Sequence, residues 1–199
     1  MLRMLSIGLA MAFLTSTLVQ AGEECPIETA MGKLPKMTYK VGGEEVCCAQ
    51  AAAKLANESD AAMTFLVVKK EFTDKQKATM ALVEATEKFI DEFTTPCKCE
   101  ASGQINVAGT QVCCDVMAAE TAKLAKEAMK KVHMTYMVGD KACNCPVEAA
   151  SLAKSSGKEK LFVVGDEKTA CDVSARLSLA RAKYKAAVVA LAKAEQKSK

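Results

Sequence analysis

Ten cysteines dominate the chemistry this chain could perform. Five of them, Cys25, Cys48, Cys114, Cys145 and Cys171, each stand directly before an alanine-rich or amphipathic run that reads as a helix. Three more, Cys47, Cys113 and Cys143, lie one or two residues earlier, on what reads as an incoming strand, and Cys97 and Cys99 form a C-x-C. A sulfur placed where a helix begins meets backbone N–H groups that have no partner within the helix, and the positive end of the helix dipole. Both favour a thiolate, which is the nucleophilic and metal-binding form. At the corresponding place in one further unit the residue is Asp74, a good helix cap because its oxygen accepts from those N–H groups. Thiolate and carboxylate are thus exchanged at one position. Pro26 and Pro146 follow Cys25 and Cys145 and suit the first helical position.

Three chemistries fit these thiols. Adjacent cysteines on a strand point to opposite faces, so a bond within Cys47–Cys48 or Cys113–Cys114 would be badly strained. Each doublet must bond to distant partners or offer thiolates to something else. An even cysteine count in an exported chain allows a five-bond disulfide framework whose connectivity the sequence leaves open. Thiolates also select soft metal ions such as copper(I) or zinc, and on that reading all ten cysteines are candidate ligands. There is no C-x-x-C, the usual zinc spacing, only C-C and C-x-C. A thiol–disulfide exchanger would use a lowered thiol pKa and the C-x-C of Cys97 and Cys99, but no thioredoxin-like βαβ pattern accompanies them.

The elements that position the cysteines are repeated. "MTYKVGGEEVCCAQAAAKLA" (37–56) and "MTYMVGDKACNCPVEAASLA" (134–153) are identical at ten of twenty positions without a gap. The 97-residue offset continues through Phe65/Phe162, Val67/Val164, Ala78/Ala175 and Leu82/Leu179, so residues 37 to about 93 recur as 134 to about 190. A second offset of 26 lies inside each half, overlaying "TYKV" (38–41) on "TFLV" (64–67) and "VGDKACNCPV" on "VGDEKTACDV". Between the halves "VAGTQVCCDV" (107–116) is another copy of "VGGEEVCCAQ" (41–50), while "CPIETAMGK" (25–33) resembles the helix start at 145–154 without its hairpin. Short β-rich runs, glycine turns, a second run and an alanine-rich stretch give strand–turn–strand–helix in each unit.

This predicts an α+β fold of about five tandem β-hairpin–α-helix repeats in two similar halves: 22–95, a central cysteine-rich unit 96–133, and 134–199. "TTPCKCEASG" (94–103) is the only plausible break. Repeats of this length bury their faces on their neighbours. Two helices read as long, with core stripes at Ala78, Leu82, Ala85, Phe89 and Phe93, and at Ala175, Leu179, Ala182, Ala186 and Val189.

Residues 1–21 read as a secretory leader. Arg3 precedes an apolar run from Leu5 to Val19, too short for a comfortable membrane span, and Val19-Gln20-Ala21 predicts cleavage after Ala21. No lipobox precedes Cys25, and no other segment is apolar enough to span a bilayer. The predicted location is therefore exported, periplasmic or secreted. Loss of Arg3 leaves 26 basic against 24 acidic residues, a net charge of +2 that draws the chain toward neither nucleic acid nor an anionic membrane. Aromatic residues are 5% and Trp is absent, so the core is built from small side chains. His133, the single histidine, lies between a helix and a strand and excludes His-based triads and His-rich metal sites. Paired acid/base carboxylates, phosphate loops and nucleophile elbows are absent, so no catalytic residue is assigned.

A resemblance narrows the class. Cys25 with "YKVGGEEVCCAQAA" (39–52), and Cys97/Cys99 with "INVAGTQVCCDVMA" (105–118), resemble the YHS/TRASH group of small metal-associated domains. That group pairs an upstream cysteine with a glycine-turn hairpin, a cysteine and a helix. Its pattern has a further cysteine four residues into the helix, where this chain has Ala52, Ala118, Ala149 and Ala175. The resemblance implies heavy-metal handling outside the cytoplasm.

Overall fold

A computed structural model describes residues 25–100 and 102–197. The predicted leader, 1–21, lies outside them. Pro26–Gly32 forms a short helix, α1, with proline at its first position. Five hairpin–helix units follow. The first is β1 (Met37–Val41), β2 (Glu44–Val46) and α2 (Ala49–Ser59), and the second is β3 (Met63–Val67), β4 (Lys70–Phe72) and α3 (Lys75–Thr94). The central unit has β5 (Cys97–Lys98), β6 (Ile105–Val107), β7 (Thr110–Val112) and α4 (Asp115–Lys130). The fourth is β8 (Thr135–Val138), β9 (Lys141–Cys143) and α5 (Pro146–Ser156), and the fifth is β10 (Lys160–Val164), β11 (Glu167–Thr169) and α6 (Asp172–Lys197). The architecture is α+β, in repeated hairpin-then-helix order.

Two-residue turns join each hairpin. Tight turns of this kind match the strand twist when their central residues have positive φ, which is why glycine is favoured there. Gly42 and Gly43 supply φ of 58° and 95°. The second unit has no glycine to offer, and Val68 and Lys69 take φ of 47° and 65° instead. A β-branched residue in that region is strained.

Hairpins of neighbouring units join edge to edge, giving sheets ordered β2-β1-β3-β4 and β11-β10-β8-β9. The register explains the 26-residue offset. Tyr39 pairs with Phe65 at the centre of β1–β3, flanked by Thr38 with Leu66 and Lys40 with Thr64. Tyr136 pairs with Phe162 in the same way in β8–β10. Equivalent residues of two units thus face each other across a local two-fold axis. The ring centroids at these axes lie 5.8 Å and 5.6 Å apart, within the range of favourable aromatic pairs.

α2 and α5 stop after 11 residues, at Asp60 and Gly157 in left-handed conformation. α3 and α6 run on for 20 and 26 residues and pack against each other, and α6 packs against α4. The predicted stripes hold for the first turns and then shift. Ala78 and Leu82 are buried with Phe65 and Val67 of the adjoining strand, but beyond them Val83, Thr86, Ile90 and Thr94 are buried, with Ala85, Phe89 and Phe93 partly exposed. In α6 the buried residues are Val173, Ala175, Ala180, Tyr184, Ala187 and Leu191, whereas Leu179, Ala182, Ala186 and Val189 are only half-buried. The reason is a change of partner: each helix covers its own hairpin first and other helices afterwards, and those lie on a different side.

Small residues permit close helix approach, as Ala122, Ala125 and Ala187 do against Ile105, Val107 and Leu191. Tyr184 supplies the bulk at the centre. Its ring packs edge-on against Phe89 and Phe93, with centroids 5.5 Å and 4.9 Å away, and its hydroxyl donates to the Ala30 carbonyl at 3.3 Å. The chain from Phe93 to Lys98 is tied to the central unit. Thr94 is buried, Ala108 N–H donates to the Phe93 carbonyl at 2.7 Å, and β5 pairs with β6 through Cys97 and Asn106. Cys97, which precedes the central hairpin, pairs along it as β5 and completes a three-stranded central sheet. Among the described residues no helix is long and apolar enough to cross a membrane.

Candidate metal centre: sulfurs at repeated helix starts

One hydrogen bond recurs at every helix start. The carbonyl of Cys25 accepts from Thr29 N–H, and those of Cys48, Asp74, Cys114, Cys145 and Cys171 accept from Ala52, Ala78, Ala118, Ala149 and Ala175, all at 2.9–3.1 Å. This is the first intrahelical bond, made by the capping residue. The five sequence-assigned cysteines therefore do occupy helix starts. The backbone nearly coincides at three of the six starts, with φ and ψ of −110° and 128° at Cys48, −106° and 123° at Asp74, and −101° and 126° at Cys145, and departs at Cys25 (−57° and 120°) and Cys114 (−147° and 159°). The donating alanines are at most 1% exposed. Each Cβ is enclosed between helix and hairpin, so a longer side chain does not fit without displacement. That accounts physically for the small alanine at this place in each hairpin-bearing unit.

Side chains at these starts differ in what they do. Asp74 Oδ1 accepts from Lys77 N–H at 2.7 Å. The thiols of Cys25, Cys48, Cys114 and Cys145 make no capping hydrogen bond. At Cys48 the N–H of Ala51, and secondarily that of Gln50, hold the thiol below its ordinary range by favouring the anion. At Cys171 the N–H of Ser174 does the same, helped by the Ser174 side chain. Cys171 N–H itself donates to Thr169 Oγ1 at 3.2 Å.

The three cysteines grouped one or two residues upstream separate into two kinds. Cys47 and Cys113 sit one residue beyond the ends of β2 and β7 rather than within the strands, and both are exposed. Cys143 is the last residue of β9, paired across from Tyr136, where the other units have Val46, Phe72, Val112 and Thr169. It is 6% exposed and packs with Tyr136, Val138 and Ala149. Strand position thus turns its side chain inward, and it behaves there as a small apolar residue. The other nine thiols, including Cys97 and Cys99, are exposed. His133 is exposed between α4 and β8.

The thiols are distributed over the units. Among the described residues, no three His, Cys, Asp or Glu side chains converge so as to hold a metal ion. One sulfur contact that sequence reading missed does occur: Cys113 Sγ lies 3.7 Å from Met117 Sδ. The i, i+4 spacing of "CCDVM" (113–117) is its sequence signal. A cleft of about 510 Å³ between α3, α4 and α6 is lined by Ile90, Met129, Leu179 and Ala180 under a charged rim and carries no cysteine. No family model matches this chain, and neither a curated protein nor a solved structure matches it.

Proposed function

We propose that this is an exported, non-catalytic repeat protein that binds soft metal ions, copper or zinc, through thiolates set at helix starts. The observation that carries the reading is the recurrence of one exposed thiol at the start of five of the six described helices. A residue that only started helices would be replaced by the better caps Ser, Thr, Asp or Asn. The helix-start amides that lower the Cys48 and Cys171 thiols also favour the form that binds metal. The likeness of residues 39–52 and 105–118 to YHS/TRASH domains agrees with this class.

The test is a count of reactive thiols. The purified mature chain, kept unreduced, is alkylated and weighed with and without copper(I) or zinc. Binding predicts that most cysteines label and that added metal blocks labelling. Ten unreactive cysteines in metal-free protein would sink the proposal and establish a disulfide-stapled scaffold instead.

A further inference from the structure

Met117 is the third residue of α4 and is 47% exposed, so it contributes little to the core. Its thioether nevertheless lies 3.7 Å from Cys113 Sγ, across the bend where the chain leaves β7 and enters the helix. Cys114, the cap residue, stands between them in sequence and is exposed as well. The other units put Ala51, Lys77, Glu148 and Ser174 at the place of Met117. Only the central unit therefore combines a cysteine doublet with a third sulfur.

We propose that Cys113 and Met117 form a two-sulfur site for copper(I) that discriminates against zinc; this rests on the metal-binding reading above. Metal–sulfur bonds are about 2.3 Å long, so two sulfurs at the observed separation can reach one ion with roughly 107° between the bonds, with no rearrangement of the helix start. A thioether is a soft ligand that suits copper(I), whereas zinc takes thiolate, imidazole and carboxylate. A thioether also carries no proton to displace, so its share of the binding does not weaken as pH falls, unlike that of a thiolate.

The experiment uses the full mature chain, reduced and under anaerobic conditions, with its methionine ε-methyl groups carbon-13 labelled. The Met117 signal is the one missing from a Met117→Leu variant, which keeps an apolar helix-forming side chain. One equivalent of copper(I) should shift that signal and zinc should not. In competition with a copper(I) chelator, Met117→Leu should weaken copper(I) binding by about tenfold, the scale on which supporting groups affect a metal site, and leave zinc binding unchanged. If a Cys113→Ser/Cys114→Ser variant loses one equivalent of copper(I) while the Met117 methyl stays still and Met117→Leu binds normally, this inference is wrong and the broader reading stands. If zinc moves the methyl as copper(I) does, the discrimination is wrong. If no thiol takes copper(I) or zinc, both proposals fall together.

Discussion

The second unit and its four hairpin-bearing companions share a backbone and differ at the helix start. In the second, Asp74 caps α3 with a formed side-chain bond and Lys75 and Lys77 occupy the first turn. In the others the cap is a cysteine, and three of the four carry an acid in the first turn, Asp115, Glu148 and Asp172. The acids complement the helix dipole at those three starts, and the helix capped by Asp74 tolerates cations there. The contrast separates two jobs that one position can do. Asp74 shows what the position looks like when its side chain caps the helix, and the cysteines at Cys25, Cys48, Cys114 and Cys145 form no such bond.

Substituting the shared alanine is expected to have the largest effect and to ignore the contrast. Ala78→Leu and Ala149→Leu should each destabilise the fold by about 2–3 kcal/mol through overpacking, read as matched falls in the urea midpoint. A large difference between them would mean that the units do not share one helix–hairpin contact. The next effect belongs to the second unit alone. Val68→Asn with Lys69→Gly should stabilise it by about 1–2 kcal/mol, because both residues now hold left-handed backbone, whereas no such gain is available at Gly42–Gly43. Exchanging caps comes third. Asp74→Ala should cost about 1 kcal/mol, Cys145→Ala should change stability by less than about 0.5 kcal/mol, and Cys145→Asp should stabilise. Equal losses for the two alanine variants would remove the distinction between the starts.

The smallest effect is a pH dependence. Cys48 and Cys171, with thiols lowered in the folded state, should alkylate faster at neutral pH than a cysteine in an unstructured peptide, by peptide mapping. The sign for stability follows: each contribution is complete above the ordinary thiol range and disappears as pH falls through the lowered folded value. Reaction at the rate of the unstructured peptide would contradict the role given to the helix-start amides.

Much of the fold was legible because its signals are local. Turn glycines (Gly42, Gly43, Gly109, Gly139, Gly165), β-rich runs and alanine-rich stretches mark the units, except at Val68–Lys69, where a strained turn carries no glycine to announce it. Helix-start cysteines were legible for the same reason. What escaped depends on tertiary partners. The stripes along α3 and α6 shift where those helices exchange a hairpin for other helices, which no single-helix period encodes. Cys143 was grouped with Cys47 and Cys113 by proximity in sequence, although strand alternation places it with Val46 and Val112. The Cys113–Met117 contact is local, but a methionine in an alanine-rich helix carries no sign in the sequence of where its sulfur lies.

The symmetric pairing at Tyr39–Phe65 and at Tyr136–Phe162 has a further consequence. A strand whose best neighbour is another copy of itself carries a self-matching edge, so one hairpin–helix module has the means to form a homodimer. Joining two modules in one chain preserves that match while freeing the partners from being identical. An aspartate could then replace a cysteine on one side of the seam without altering the other, and a tandem protein can keep its assembly fixed while each module acquires its own chemistry.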